Sequence, residues 1–180
     1  KKIADTETPQ GIIAVCEMRS KRLDDFLASG KMLLVLDRVT DPGNIGTMLR
    51  TADAAGVGGL LLLQGCADIY APKTVRASMG SLFHLPVLSG LSEELLVQAA
   101  RKAGYELLVT CLDGADNLYK ADLKGRLAFV MGNEANGVSP ALLAAADKRV
   151  FIPMQGRAES LNVAMAAGIV MFEALRQKLK

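Results

Sequence analysis

An α/β domain built on a parallel sheet, with helices on both faces, is predicted for this chain by three observations. Short apolar runs alternate with helix-patterned segments along the sequence, the order that builds a parallel sheet through crossover helices. The runs, each roughly 4–8 residues, show no clear period of two, as expected of strands covered on both faces. The helical segments carry start signals: Ser139-Pro140 reads as an N-cap followed by Pro at the first helical position, and Ser160 reads as the cap of the last helix.

Taken in order, the strand candidates are Gly11–Glu17, Leu33–Asp37, Leu60–Leu63, Glu106–Cys111, Leu127–Met131 and Arg149–Ile152. Between them fall helix candidates at Ser20–Ala28, Gly43–Ala55, Pro72–Met79, Ser92–Ala103, Pro140–Ala146 and Leu161–Leu179. Residues 1–10, KKIADTETPQ, are polar and contain Pro, so they read as a linker ahead of a single domain over 11–180. The chain opens on Lys1 rather than Met, which reads as part of something longer. There is no internal repeat and no low-complexity tract.

Composition narrows the class. Hydrophobic residues make up 51% and charged residues 22% of 180 positions, the profile of an ordered globular chain. The longest unbroken apolar stretch, Val163 to Phe172, is far short of the ~20 residues of a membrane span, so no membrane partner is expected. A net charge of +2 permits a nucleic-acid partner without indicating one. Cys16, Cys66 and Cys111 form neither a disulfide framework nor a metal set, which points to a reducing cytoplasm. Cys16 and Cys111 sit in apolar runs, where a thiol usually serves as a small core hydrophobe.

Ligands of open α/β sheets bind beyond the carboxyl ends of the strands, so the segments after three strands carry the functional reading. The first is RVTDPGNIGTMLRTADAAG, after Leu33–Asp37. On a helical wheel Ile45, Met48, Leu49, Ala52 and Ala55 form one apolar face and Arg50 points away from it. A helical side chain leans back over residue i−4. That residue is Gly46, which leaves Arg50 free to reach toward Asn44 and the helix N-terminus, where amides favour anions. An ordinary capped helix with a solvated Arg reads equally well. Neither G-x-G-x-x-G nor G-x-x-x-x-G-K-[ST] is present.

The second is GNEANGVS, after Leu127–Met131. Gly132 and Gly137 allow close backbone approach or positive φ. Ser139 accounts for a helix cap but leaves the carboxylate of Glu134 unexplained. The third is PMQGRAESLNVAMAAG, after Arg149–Ile152. The helix it opens is apolar around most of its circumference, with a polar strip through Asn162, Glu173 and Arg176, so several sides need cover and a subunit interface is a natural one. Asn162 among apolar neighbours needs partners, either within its own loop or on a ligand. His84, the single histidine, has no nucleophile pair or metal set nearby and reads as structural or RNA-facing. Lys73, Arg76 and His84 either meet phosphates or form a solvated face.

Together the three segments resemble the SpoU (TrmH) class of the knotted SPOUT methyltransferases. The pattern N-x-G-x-x-x-R-T-A is matched by Asn44, Gly46, Arg50, Thr51 and Ala52; G-x-E-x-x-G-[LIV]-S by Gly132, Glu134, Gly137, Val138 and Ser139; and I-P-M followed by S-L-N-V-A by Ile152 to Met154 and Ser160 to Ala164. The likeness runs from about Gln10 onward, and YAPKTVRASMGSLFHLPV looks like the branch acting on ribosomal RNA.

The resemblance implies an α/β domain with a C-terminal deep trefoil knot, a homodimer formed through the C-terminal helix, and transfer of methyl from S-adenosylmethionine to a ribose 2′-hydroxyl of structured RNA, rRNA rather than tRNA. It implies cofactor contacts at Gly132, Ile152 and Leu161, with Thr110, Leu112 and Met154 lining the same pocket. The catalytic set it implies is Asn44, Arg50, Glu134, Ser160 and Asn162, with no metal. The family also leads one to expect an RNA-binding domain ahead of residues 1–10. The rivals are an RNA-binding module of the same fold without catalysis, and a doubly wound enzyme binding a small nucleotide.

Overall fold

The structure, a computed structural model, describes Thr8 and residues 11–18 and 21–179. Among the described residues seven strands form one sheet: β1 Leu33–Leu36, β2 Gly59–Leu63, β3 Val87–Leu91, β4 Glu106–Thr110, β5 Asp116–Asn117, β6 Leu127–Met131 and β7 Lys148–Phe151. Six α-helices accompany them among the described residues: α1 Leu23–Ala28, α2 Pro42–Ala54, α3 Pro72–Ala77, α4 Glu93–Lys102, α5 Pro140–Ala145 and α6 Val163–Lys178. The strand order is β3-β2-β1-β6-β4-β7-β5, and every neighbouring pair is parallel.

The uninterrupted apolar strands are explained by two buried faces. Leu34, Leu36, Leu60, Leu62, Leu108, Phe129 and Met131 pack under α2 and α6 through Ile45, Met48, Leu49, Ala167, Val170 and Met171. The alternate residues Leu33, Val35, Leu61, Leu107, Val109, Ala128 and Val130 pack with Phe26, Leu96, Ala100 and Leu142 of α1, α4 and α5. Successive side chains point to opposite faces of a strand, so each strand must be apolar throughout. The parallel α/β architecture expected from the sequence is therefore present.

Several expectations need correction. The run Gly11–Glu17 is not a strand: residues 11–18 pair with none of the seven strands, and Ile12 and Val15 are 88% and 100% exposed. An apolar run becomes a strand only where a sheet edge accepts it, and Cys16 is accordingly exposed rather than a core thiol. Strand β3 was not anticipated because Ser89 and Gly90 interrupt its apolar run, and β5 because it is only two residues long. The last helix starts at Val163, two residues later than expected, and its cap is Asn162 rather than Ser160. Within the polar strip of that helix Glu173 is buried; it accepts from Arg176 and from Gln177, whose amide also donates to the Ala121 carbonyl. Helix α1 begins at Leu23, and Ser20 lies outside the described residues, as do nearly all of residues 1–10.

Candidate active site

The carboxyl ends of β4, β6 and β7 open onto one cavity of about 690 Å³, within the range of small-ligand sites. Its walls include all six positions expected to hold a cofactor: Thr110, Leu112, Gly132, Ile152, Met154 and Leu161. Glu134, Ser160 and Asn162 line it too. Asn44 and Arg50 do not.

Asn44 is nevertheless joined to the cavity. It sits in the first turn of α2, whose N-cap Asp41 accepts from the Asn44 backbone N–H at 2.8 Å. That bond, reinforced by Lys73 at 3.1 Å, holds the Asp41 carboxyl below the usual carboxylate range. The Asn44 side chain donates Nδ2 to Glu134 Oε1 at 2.8 Å and accepts at Oδ1 from Asn162 Nδ2 at 3.0 Å. The Asn162 side-chain oxygen is itself occupied, accepting from the backbone N–H groups of Ala164 and Met165 as the cap of α6. Donor and acceptor roles are thus set in sequence: the α6 cap orients Asn162, Asn162 orients Asn44, and Asn44 presents its donors to Glu134. All three motif segments meet in these two hydrogen bonds.

The loop bearing Glu134 is shaped from beneath. A Cβ on Gly132 would lie 2.2 Å from the Gly137 carbonyl carbon and 2.3 Å from the Val138 nitrogen, so only glycine lets the chain fold back there. Gly137, at φ +64°, completes the turn, and Asn133 and Gly137 exchange backbone hydrogen bonds. Asn133 Oδ1 accepts from the Ala135 and Asn136 amides while its Nδ2 donates to the Arg38 carbonyl at 2.8 Å. Arg38 holds a left-handed backbone at φ 54°. Its guanidinium makes a two-pronged contact with the buried Asp37 carboxylate at 2.9 and 3.0 Å, and that hydrogen bonding pushes the Arg38 pKa upward. Asp37 also accepts from the Ser139 backbone N–H at 2.7 Å, pinning the far end of the same loop to β1.

Asp37, Arg38 and Asn133 were not singled out from the sequence. A carboxylate ending an all-apolar strand, and an Asn placed after Gly where an Asx-turn forms, were the available signals.

Arg50 is exposed, and among the described residues it pairs with no carboxylate. Gly46 serves a different purpose from the one expected. A Cβ there would lie 2.5 Å from Ala77 Cβ and 2.7 Å from the Thr74 carbonyl oxygen, so this glycine lets α3 lie against α2. Cys111 lines the cavity half-buried; desolvation pushes its thiol pKa upward, opposed by Arg149 and reinforced by Asp113. His84 approaches Asp53 on α2 at 3.3 Å, at the surface.

Residues 31–172 match the model of the SpoU rRNA Methylase family. The chain belongs to this family. Its sequence is 40% identical over 170 residues to the 23S rRNA (guanosine(2553)-2'-O)-methyltransferase RlmP of Bacillus subtilis, covering 94% of this chain and 66% of that protein. Its fold is similar to an AdoMet-bound rRNA methyltransferase from Sinorhizobium meliloti, with a TM-score of 0.83 and 38% identity over 91% of this chain and 63% of the other. It is also similar to the SpoU methyltransferase AviRb of Streptomyces viridochromogenes in complex with AdoMet, with a TM-score of 0.82 and 39% identity over 91% of this chain and 67% of the other. The chain thus spans about two thirds of the length of each relative. SpoU membership displaces the doubly wound, small-nucleotide reading. Among the described residues no helix is long and apolar enough to cross a membrane.

Proposed function

We propose that this SpoU domain transfers a methyl group from S-adenosylmethionine to a ribose 2′-hydroxyl of ribosomal RNA, in the cytoplasm. The observation that carries the reading is the meeting of three distant segments, through Glu134, Asn44 and Asn162, at the rim of the cavity beyond β4, β6 and β7. RNA is favoured over a small nucleotide because the relatives are named as rRNA methyltransferases.

The cavity residues fit the cofactor. Leu112, Val138, Ile152, Met154 and Leu161 supply apolar surface for an adenine and a thioether, while Glu134 and Glu159 put negative charge at the rim of a site for a sulfonium. Gly132, Ile152 and Leu161 would hold it chiefly through backbone groups, with Thr110, Leu112 and Met154 around them. When bound, S-adenosylmethionine supplies a methyl group already activated by its sulfonium.

Positioning the acceptor hydroxyl is then the protein's main task. The Asn162–Asn44–Glu134 chain fixes polar groups where a ribose would enter, and Ser160 adds a hydroxyl on the cavity wall. Arg50 binds an RNA phosphate and aligns the 2′-hydroxyl. A guanidinium only donates hydrogen bonds, so the hydroxyl proton leaves to an RNA phosphate or to solvent.

Two further parts of the reading rest on α6. Met165 and Phe172, one heptad apart on this helix, are 61% and 47% exposed, and an apolar face of that kind supports a homodimer through α6. Since Arg50 stands outside the cavity of its own chain, it would serve the cavity of the partner. The segment after β7 lines the cavity before α6 returns to pack on α2, a path that supports the trefoil knot.

The test is a calorimetric titration with S-adenosylhomocysteine, followed by methyl transfer from labelled S-adenosylmethionine to unmodified 23S rRNA. Binding with transfer to ribose supports the proposal; binding without transfer to any RNA identifies the silent module.

A further inference from the structure

Helix α2 carries a second stripe beside the one that faces the core. Gly46, Arg50 and Asp53 are spaced by four and three residues and so lie on one face. Gly46 abuts Thr74, Ala77 and Ser78 at the end of α3. Asp53 meets His84. Arg50, between them, therefore lies alongside the turn Met79–Gly80–Ser81 that joins these two contacts.

That turn is firmly built yet presents apolar side chains to solvent. Ser78 and Ser81 are buried, and Leu85 anchors the segment in the core. The backbone N–H groups of Ser81, Phe83, His84 and Leu85 all donate to carbonyls within residues 78–81. Met79 has φ 48° and Gly80 φ +91°, a left-handed pair that an unbranched apolar residue adopts only at a cost. The Met79 side chain is not repaid by burial: it is 71% exposed, and Phe83 is 68% exposed. A cation on the helix stripe that meets this turn, with an exposed thioether and an exposed aromatic ring on the turn itself, suits an unstacked nucleotide, whose phosphate takes the cation and whose base has an apolar face.

We infer that Met79 and Phe83 form a stacking platform for an RNA base next to the target nucleotide, with Arg50 on the intervening phosphate. This rests on the RNA-methylation reading and extends it to the way the strand is gripped. Continuity with the site supports it. Arg50 is six residues beyond Asn44 on α2, about 9 Å along the helix axis, so the platform adjoins the residue assigned to the RNA phosphate, and where Arg50 serves the partner's cavity the platform serves it too. The charge balance also favours RNA over an acidic protein segment. Lys73 and His84 are already opposite Asp41 and Asp53, which leaves a patch suited to one phosphate and a base rather than to a run of carboxylates.

The test compares Phe83→Ala, Phe83→Tyr and Met79→Gly with the unaltered chain. Three quantities are read: KM for in vitro-transcribed 23S rRNA, affinity for that RNA by fluorescence anisotropy, and affinity for S-adenosylhomocysteine. Phe83→Ala should raise the RNA KM and weaken RNA binding roughly tenfold, with kcat and cofactor affinity unchanged. Phe83→Tyr should restore both. Met79→Gly suits the left-handed backbone and keeps the fold, so a several-fold loss of RNA affinity there reports the side chain alone. Unchanged RNA affinity in Phe83→Ala and Met79→Gly overturns the inference. So does a shift of either variant to monomer in sedimentation velocity, which would make the patch a contact between copies. Because anisotropy reads RNA binding without turnover, failure of methyl transfer and failure of the platform are distinguishable.

Discussion

Asn162 donates its side-chain amide to Asn44 across 118 residues of sequence, at 3.0 Å, while the other end of that amide caps α6. One side chain therefore carries a structural bond and a positioning bond that can be separated by substitution.

Asn162→Asp keeps the capping oxygen and removes the donor. Asn44 must then turn an acceptor toward either the new carboxylate or that of Glu134. Thermal and urea stability should stay within ~0.5 kcal/mol of the unaltered protein, whereas Asn162→Ala should lose about 1 kcal/mol with the cap. Methyl transfer should fall on the order of a hundredfold in both variants. Full activity in Asn162→Asp would show that the Asn44 contact positions nothing.

Two glycines make opposite demands on assay choice. Gly46→Ala drives a Cβ to within 2.5 Å of Ala77 Cβ, an overpacking that should cost about 1–3 kcal/mol in urea unfolding. Gly132→Ala meets backbone of the Glu134 loop at 2.2 Å. It should abolish S-adenosylhomocysteine binding in calorimetry, since the loop that walls the cavity must move.

Arg50→Ala should lose methyl transfer and keep cofactor affinity, because Arg50 does not line the cavity of its own chain. Mixing Arg50→Ala with Asn162→Asp tests whether the site is shared. If one protomer supplies Arg50 and the other the cavity, random reassortment should recover about a quarter of full activity, since half the dimers are mixed and each has one intact site. No recovery would place both residues in the same protomer's site.

The dimer itself is tested on α6. Met165→Glu with Phe172→Glu puts two charges on the exposed apolar face and should give a monomer in sedimentation velocity, with unchanged melting of the monomeric fold.

Cys111 reports occupancy of the cavity. Burial raises its thiol pKa, so at neutral pH less of it is thiolate than for a free cysteine, and only the thiolate is alkylated. Iodoacetamide labelling followed by mass spectrometry should be slower than at the exposed Cys16. It should rise with pH to a midpoint above the ordinary thiol value. Saturating S-adenosylhomocysteine should slow it further, and an unchanged rate with the ligand would place the cofactor elsewhere.

The sequence by itself determined the layers of this protein and the identity of its chemical segments. Alternating apolar runs and capped helices report local propensity and burial on both faces of each strand, which is why β1, β2, β4, β6 and β7 and all six helices were legible. The three motif segments were legible because strand ends in a parallel sheet are where ligands sit. Only the tertiary structure decided what joins what. That Gly11–Glu17 finds no sheet edge, that Gly46 seats α3 rather than freeing Arg50, and that Asn133 and Asp37 hold the Glu134 loop all depend on contacts between residues far apart in the chain. Spacing along a chain carries face and period, but not the partner a side chain meets across space. For the same reason Asn162 could be read as needing a partner, and only the fold could show that the partner is Asn44.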